Sequence, residues 1–299
     1  MNKNKIVVVG GAGFCGGHLV DKLLSCMFEV HVIDNMSSGN YINKLATYHL
    51  IDIGDCHVND LSHVIEDSYC VFHLAAKARV QPSFEFPLQY HKTNVTGTLN
   101  LLEACKLANV KNFVFSSSSS IYGSMMFDGG FKEIDPQFPE SPYAFQKVQG
   151  EEMCKFYERF GINAKILRYF NVYGDRMIQG GQYAQAIQIF LNNYRNNEPF
   201  KIFGDGEQKR DFTHVSDVVE ANLKAMEFDE FGIFNIGTGI NYSINEVCNM
   251  IDWERDRIYQ EPKNEPKVTL ANNNKANQIL NWEPKVKLPE WINQKINVQ

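Results

Sequence analysis

Residues 5–24, KIVVVGGAGFCGGHLVDKLL, constrain the fold more than any other stretch. Four β-branched residues, Ile6 to Val9, run into Gly10, Gly11, Gly13 and Gly16 and then into apolar positions at helical spacing. A continuous β-branched run reads as a strand buried on both faces, as in a parallel sheet. Glycines at a strand-to-helix turn let a pyrophosphate approach backbone N–H groups and the positive end of the helix, where side chains would hold it off. A bare tight turn uses the same spacing, so a second feature has to separate the two. Asp34 supplies it by ending the next strand run, EVHVID, at the distance a dinucleotide fingerprint requires. A carboxylate there suits both ribose hydroxyls and repels a 2′-phosphate, which selects NAD over NADP.

The alternation continues through CVFHLA, NLLEACKLA, NFVFSS and AKILRYF, to about residue 170. It predicts a doubly wound α/β fold: a parallel-sheet, NAD-binding Rossmann domain over residues 1–174. Beyond it the turns become glycine-rich, at Gly180-Gly181 and in FGDGE (203–207), between helix candidates at 183–195 and 215–226. Residues 175–299 are expected to form a smaller mixed α/β substrate lobe, with an interleaved, approximate boundary to the first domain. In the first domain, Asp52 and Ile53 follow the third strand and are expected to flank the adenine. Leu74, Ala75 and Ala76 close the fourth, small enough for a cofactor to lie against the backbone.

Tyr143 and Lys147 stand four apart, on one face of a helix. An ammonium beside a phenol can stabilise the phenolate, and moving a tyrosine from about 10 to neutrality asks for about 4 kcal/mol. Lys147 and a positively charged nicotinamide together are expected to supply it. The same spacing recurs at Tyr259 and Lys263, where Pro262 breaks any helix. Between the NFVF strand and Tyr122 lie five serines, Ser116 to Ser120. One of them is placed to hydrogen-bond a substrate oxygen; spacing does not say which.

The 299 residues carry a net charge of −6, which argues against nucleic acid or anionic membrane as a partner. Seven cysteines without a Cys-x-x-Cys pair read as reduced thiols, pointing to the cytoplasm and to no metal. No apolar run is long enough to span a membrane.

With these pieces in place the chain resembles the extended short-chain dehydrogenase/reductase family, most closely its nucleotide-sugar 4-epimerases. The likeness runs through VVVGGAGFCG, VIDNMSSG, VFHLAA, NVTGT, SSSSSIYG, SPYAFQK, LRYFNVYG, FGDGEQKRDFTHVSDV and FNIGTG. It implies that Phe14, Cys15, Asn35, Ser38, Gly39 and Asn94 join the glycines and Asp34 in holding NAD. It selects Ser118 as the catalytic hydroxyl beside Tyr143 and Lys147. Tyr143 takes the proton of the sugar 4-hydroxyl, hydride passes to NAD, and the 4-keto sugar turns over and is reduced on its other face. The implied substrate is a UDP-hexose, UDP-glucose or UDP-galactose, with UDP-GlcNAc and UDP-GalNAc in view. Other nucleotide-sugar reactions, at glucuronate or as a 4-keto reduction, stand as alternatives beside a non-catalytic NAD-binding role. Ser119 and Ser120 replace the Asp-Glu of 4,6-dehydratases. Asn171 and Arg210 are expected at the substrate diphosphate, Ser83 and Arg79 at the sugar. Pro262 stands where the family has a phosphate-binding Arg, leaving Lys263, and Thr269 falls where a small residue enlarges the sugar pocket. A homodimer through a four-helix bundle, built from 94–107 and 143–156, is implied as well.

Overall fold

The structure, a computed structural model, describes residues 2–177, 186–263 and 265–297. In chain order it begins β1 (Asn2–Val9), α1 (Phe14–Ser25), β2 (Glu29–Asp34), β3 (Thr47–Leu50), α2 (Val58–Ile65), β4 (Ser68–His73), α3 (Val80–Glu85) and α4 (Pro87–His91). A π-turn at Lys92–Thr96 leads into α5 (Gly97–Leu107), followed by β5 (Asn112–Ser118), α6 (Pro142–Tyr157) and β6 (Asn163–Tyr169). Then come β7 (Val172–Tyr173), α7 (Ala186–Arg195), β8 (Phe200–Phe203), β9 (Lys209–Asp211), β10 (Thr213–His214), α8 (Val215–Glu227) and β11 (Gly232–Ile236). The chain closes with β12 (Asn241–Ser243), α9 (Ile244–Asp252), β13 (Arg257–Gln260), α10 (Asn274–Leu280) and α11 (Leu288–Asn297).

Seven strands form one sheet in the order β11-β6-β5-β4-β1-β2-β3, with β1 pairing in parallel to both β2 and β4. The strand order reverses at β1, so the crevice at its carboxyl end is the topological switch point where such sheets bind ligands. Ile6 to Val9 are fully buried, as their β-branched run requires. On one face Val7, Val9, Ile33, Val71, Phe113 and Phe115 pack against Leu101, Leu102 and Cys105 of α5. Each such side chain contributes about 1.5–3 kcal/mol by leaving water.

The chain divides into two compact units that interleave along the sequence. The first comprises Met1–Ile121, Pro139–Arg168 and Val219–Phe234; the second takes Tyr122–Phe138, Tyr169–Val218 and Asn235–Gln299. The boundary between them is interleaved, because β11 returns late in the sequence to the edge of the first sheet. Within the second unit β10 pairs with β7, β12 with β9 and β13 with β8. Trp282 is buried there and donates its indole N–H to the Asp217 carbonyl at 2.9 Å. Tyr259 belongs to a strand, so its repeat of the Tyr-x-x-x-Lys spacing shares no helix face. The predicted Gly180-Gly181 turn lies outside the described residues.

Candidate active site

In the first unit the glycine turn is built by close approach. Gly10 has φ +85°, and a Cβ there would meet the Ala75 backbone at 2.5 Å; one on Gly16 would meet the Gly10 carbonyl at 2.0 Å. Gly13 differs. A Cβ on it would have only the Gly10 oxygen near it, at 3.3 Å, so its bareness serves something other than internal packing. Gly13 caps α1 without a side-chain hydrogen bond, and the first turn, with Phe14, Cys15 and Gly16, carries no acid. The leading N–H groups of a helix lack intrahelical partners, so this cradle fits a dinucleotide pyrophosphate.

Asp34 accepts the Ala12 N–H at 2.9 Å on one oxygen and the Met36 N–H at 2.8 Å on the other. Burial pushes its carboxyl up and these backbone donors pull it back. The Asn35 N–H is a third backbone donor, and of the carboxylate's four acceptor sites one is left for a ribose hydroxyl. The loop carrying Asn35, Ser38 and Gly39 lies on the turn: a Cβ on Gly39 would sit 2.2 Å from the Ala12 carbonyl. Asn35 donates to Asp52 at 2.9 Å, and Asp52 also accepts the Gly54 N–H. The Ile53 side chain is in the core against Gly97, so only its backbone can meet an adenine. Leu74 and Ala75 both donate to the Val9 carbonyl. Asn94, in the π-turn, spends its amide on the Lys77 N–H, the Lys77 carbonyl and Gln146, and so holds the segment after Ala76.

Helix α6 starts with Ser141 capping the Ala144 N–H at 3.1 Å and Pro142 in its first turn, which sets Tyr143 at the helix start. Gly150 brings the helix onto β5, where a Cβ would meet the Phe115 ring at 2.4 Å. Ser83, fully buried, accepts the Tyr143 N–H at 3.2 Å and donates to the Val80 carbonyl, so its hydroxyl anchors the helix.

The serines now separate. Ser118 hydrogen-bonds the Tyr143 phenol and accepts the Ser120 N–H at 3.2 Å. Ser117 donates to Glu151 at 2.5 Å. The Ser116 carbonyl accepts Lys147 Nζ at 2.7 Å. The Lys147 ammonium lies 5.0 Å from the Phe115 ring centre and 6.0 Å from that of Tyr143.

Tyr143 is pushed up from its usual value, because burial outweighs the Ser118 hydrogen bond and the nearby positive charge. That charge is Arg79, itself depressed by burial. Burial also lowers Lys147 to about 8 and raises the Cys15 thiol to about 12, which leaves that thiol protonated. His73 falls to about 3 and stays neutral beside Thr98.

Sequence reading missed Glu151 and Arg168. Both are buried, and they pair through Arg168 Nε at 2.9 Å and Nη2 at 2.7 Å. A charged residue inside the apolar strand AKILRYF was the available signal.

In the second unit Asn171 sits at φ +23°, just past β6. Its amide donates to the Asp211 carbonyl and to the Thr269 hydroxyl, both at 3.0 Å. Asp211 is fully buried and accepts from the Thr238 N–H and hydroxyl, the Gly239 N–H and the Ala271 N–H. Arg210 pairs with Glu265 at 3.2 Å and donates to the Lys209 carbonyl. Lys263 stands apart from this group, 3.6 Å from the centre of the Phe203 ring.

Residues 6–237 match the model of the NAD dependent epimerase/dehydratase family. The chain belongs to that family. It is 38% identical to a putative UDP-glucose 4-epimerase of Methanocaldococcus jannaschii, over 98% of this chain and 97% of the relative. It superposes on the UDP-glucose 4-epimerase of Thermotoga maritima, solved with UDP-glucose, with a TM-score of 0.93 and 36% identity, covering 98% and 97% of the two chains. A UDP-N-acetylglucosamine 4-epimerase of Methanobrevibacter ruminantium, solved with UDP-N-acetylmuramic acid, gives 0.91 and 35%, covering 99% and 98%. The chain is thus a nucleotide-sugar epimerase/dehydratase by family, with NAD as the family's cofactor.

Proposed function

We propose that this chain interconverts UDP-hexoses that differ at C4, UDP-glucose and UDP-galactose, with UDP-GlcNAc and UDP-GalNAc within its range. The observation that carries the reading is the Ser118 hydroxyl on the Tyr143 phenol, with Lys147 on the same helix face and the glycine cradle and Asp34 in the same unit. The similarity to UDP-glucose and UDP-N-acetylglucosamine 4-epimerases supports it.

Bound NAD supplies a hydride acceptor and donor for the sugar carbon together with a positively charged ring. Gly10, Gly13, Phe14, Cys15 and Gly16 hold its pyrophosphate, Asp34 its ribose, and Asn35, Ser38, Gly39, Asp52, Ile53, Leu74, Ala75, Ala76 and Asn94 shape the remaining walls. Within the chain burial keeps the phenol protonated, so Tyr143 needs the added positive charge before it can act as base. Ser118 donates toward the phenol oxygen, favours the phenolate, and relays the proton from the 4-hydroxyl. Lys147 then faces an anion one helical turn away. The proton returns by the same route once the ketone has turned. Ser119 and Ser120 offer no carboxyl for removing water, which disfavours dehydration.

Arg210 and Asn171 are assigned to the diphosphate; phosphate oxygens displace Glu265, since the arginine fork suits them bidentately. Lys263 takes the outer phosphate edge, and Thr269, small and bonded to Asn171, leaves room for an N-acetyl group. Residues 175–299 contribute Arg210, Lys263 and Thr269 to the substrate, and 1–174 carry the chemistry together with Asn171. We further propose a cytoplasmic homodimer through α5 and α6, where Leu99, Leu107, Phe145 and Phe156 are exposed while Leu102 is in the core.

Proton NMR of each UDP-sugar with the protein is the test. Inversion at C4, absent in Tyr143→Phe, is the expected result. Loss of carbon dioxide from a UDP-uronate, or a 4-keto-6-deoxy product, would move the assignment to another reaction of the family.

A further inference from the structure

Glu151 is fully buried one helical turn beyond Lys147, and the chemistry above gives it no task. It accepts hydrogen bonds from two elements: Ser117 of β5 at 2.5 Å, and Arg168 of β6 at 2.9 and 2.7 Å. A buried ion pair is weak evidence of stability, since apolar side chains of the same volume serve as well. The position of this one is the telling feature. Ser117 follows Ser116, whose carbonyl accepts the Lys147 ammonium, and Glu151 is the i+4 neighbour of Lys147.

We propose that Glu151 is a positioning residue for Lys147: clamped by Ser117 and Arg168, its carboxylate is the buried counter-charge that keeps Lys147 an ammonium and fixes the end of β5 against it. The proposal rests on reading Tyr143 and Lys147 as the catalytic pair. Lys147, Glu151 and Arg168 together carry one net positive charge, which ionisation of Tyr143 would neutralise. With Glu151 uncharged, Lys147 and Arg168 lose the buried carboxylate beside them. Arg168 cannot give up a proton, so Lys147 does.

The other groups facing Lys147 do not replace Glu151. From β4 His73 is neutral, from β5 come only a ring and a carbonyl, and on α6 the Cys154 thiol is pushed up by burial and stays protonated. Tyr143 remains a neutral phenol until it reacts. Burial has already brought Lys147 to about 8, against the upward pull of Glu151, so little margin is left.

Glu151→Gln keeps the volume and an acceptor for Ser117. The expected result is an alkaline limb of the kcat–pH profile moved down by roughly one pH unit, with kcat at pH 6.5 near wild type. In ε-13C-lysine-labelled protein, with the Lys147 signal assigned through Lys147→Arg, the titration midpoint falls equally. A lesion that only disturbs packing would lower kcat at every pH and leave the limb in place. An unmoved limb and midpoint in Glu151→Gln would overturn the proposal. If that variant folds poorly, Glu151→Gln/Arg168→Gln restores the net charge: a midpoint back near wild type supports the counter-charge, and one still depressed refutes it. The NMR midpoint decides the matter even if no UDP-sugar is epimerised, so failure of the proposed function is told apart.

Discussion

Two alanine substitutions in one loop are expected to fail in different ways. A Cβ on Gly16 would lie 2.0 Å from the Gly10 carbonyl oxygen and 2.8 Å from two further backbone atoms, so the strand-to-helix turn itself has to move. Overpacking against backbone costs about 3 kcal/mol, and Gly16→Ala should melt roughly 6–12 °C below wild type. Gly13 sits at φ −79° and ψ −179°, which alanine adopts freely, and its Cβ contact is a single 3.3 Å approach. Alanine is a poorer N-cap than glycine by roughly 0.5–1 kcal/mol, so Gly13→Ala should lose only about 2–3 °C. Its Cβ occupies the space in front of the helix N–H groups, however. Losing one or two charge-assisted hydrogen bonds costs about 3 kcal/mol, or roughly 100-fold in affinity for NAD. Calorimetric titration of NAD into both variants, with thermal unfolding of each, separates the effects. Gly13→Ala binding NAD within about 3-fold of wild type, or melting as low as Gly16→Ala, would refute the assignment of the cradle.

Ser118→Ala removes a hydrogen bond that favours the phenolate, so the acid limb of the kcat–pH profile should move to higher pH, with kcat down roughly 10- to 100-fold. His73 is held near 3 against an ordinary 6.5, so the unfolded chain binds the extra proton and stability falls as pH drops through that window. Between pH 6.5 and 4.5 this residue alone should cost about 2 kcal/mol, read as the difference in urea unfolding between wild type and His73→Phe. Asp211→Asn turns one acceptor oxygen into a donor facing backbone N–H groups and should cost about 3 kcal/mol in thermal unfolding while leaving NAD affinity unchanged.

Much of the first unit was legible because its signals are local. An unbroken β-branched run, glycines at fixed offsets and an acid closing the next strand each follow from backbone geometry over a few residues, and the central sheet has the parallel neighbours they imply. The pairing of Tyr143 with Lys147 was equally local, since a helix puts such spacing on one face. Tertiary structure decided what depends on distant partners. Which serine meets the phenol is set by how α6 lies on β5, and Gly150 permits that approach. The rise of Tyr143 reflects burial, a property of the packed environment rather than of the residue. The interleaved units depend on β11 joining β6 across more than sixty residues of sequence. Glu151 and Arg168 meet for the same reason: a pair that bridges a helix and a strand exists only once both have packed.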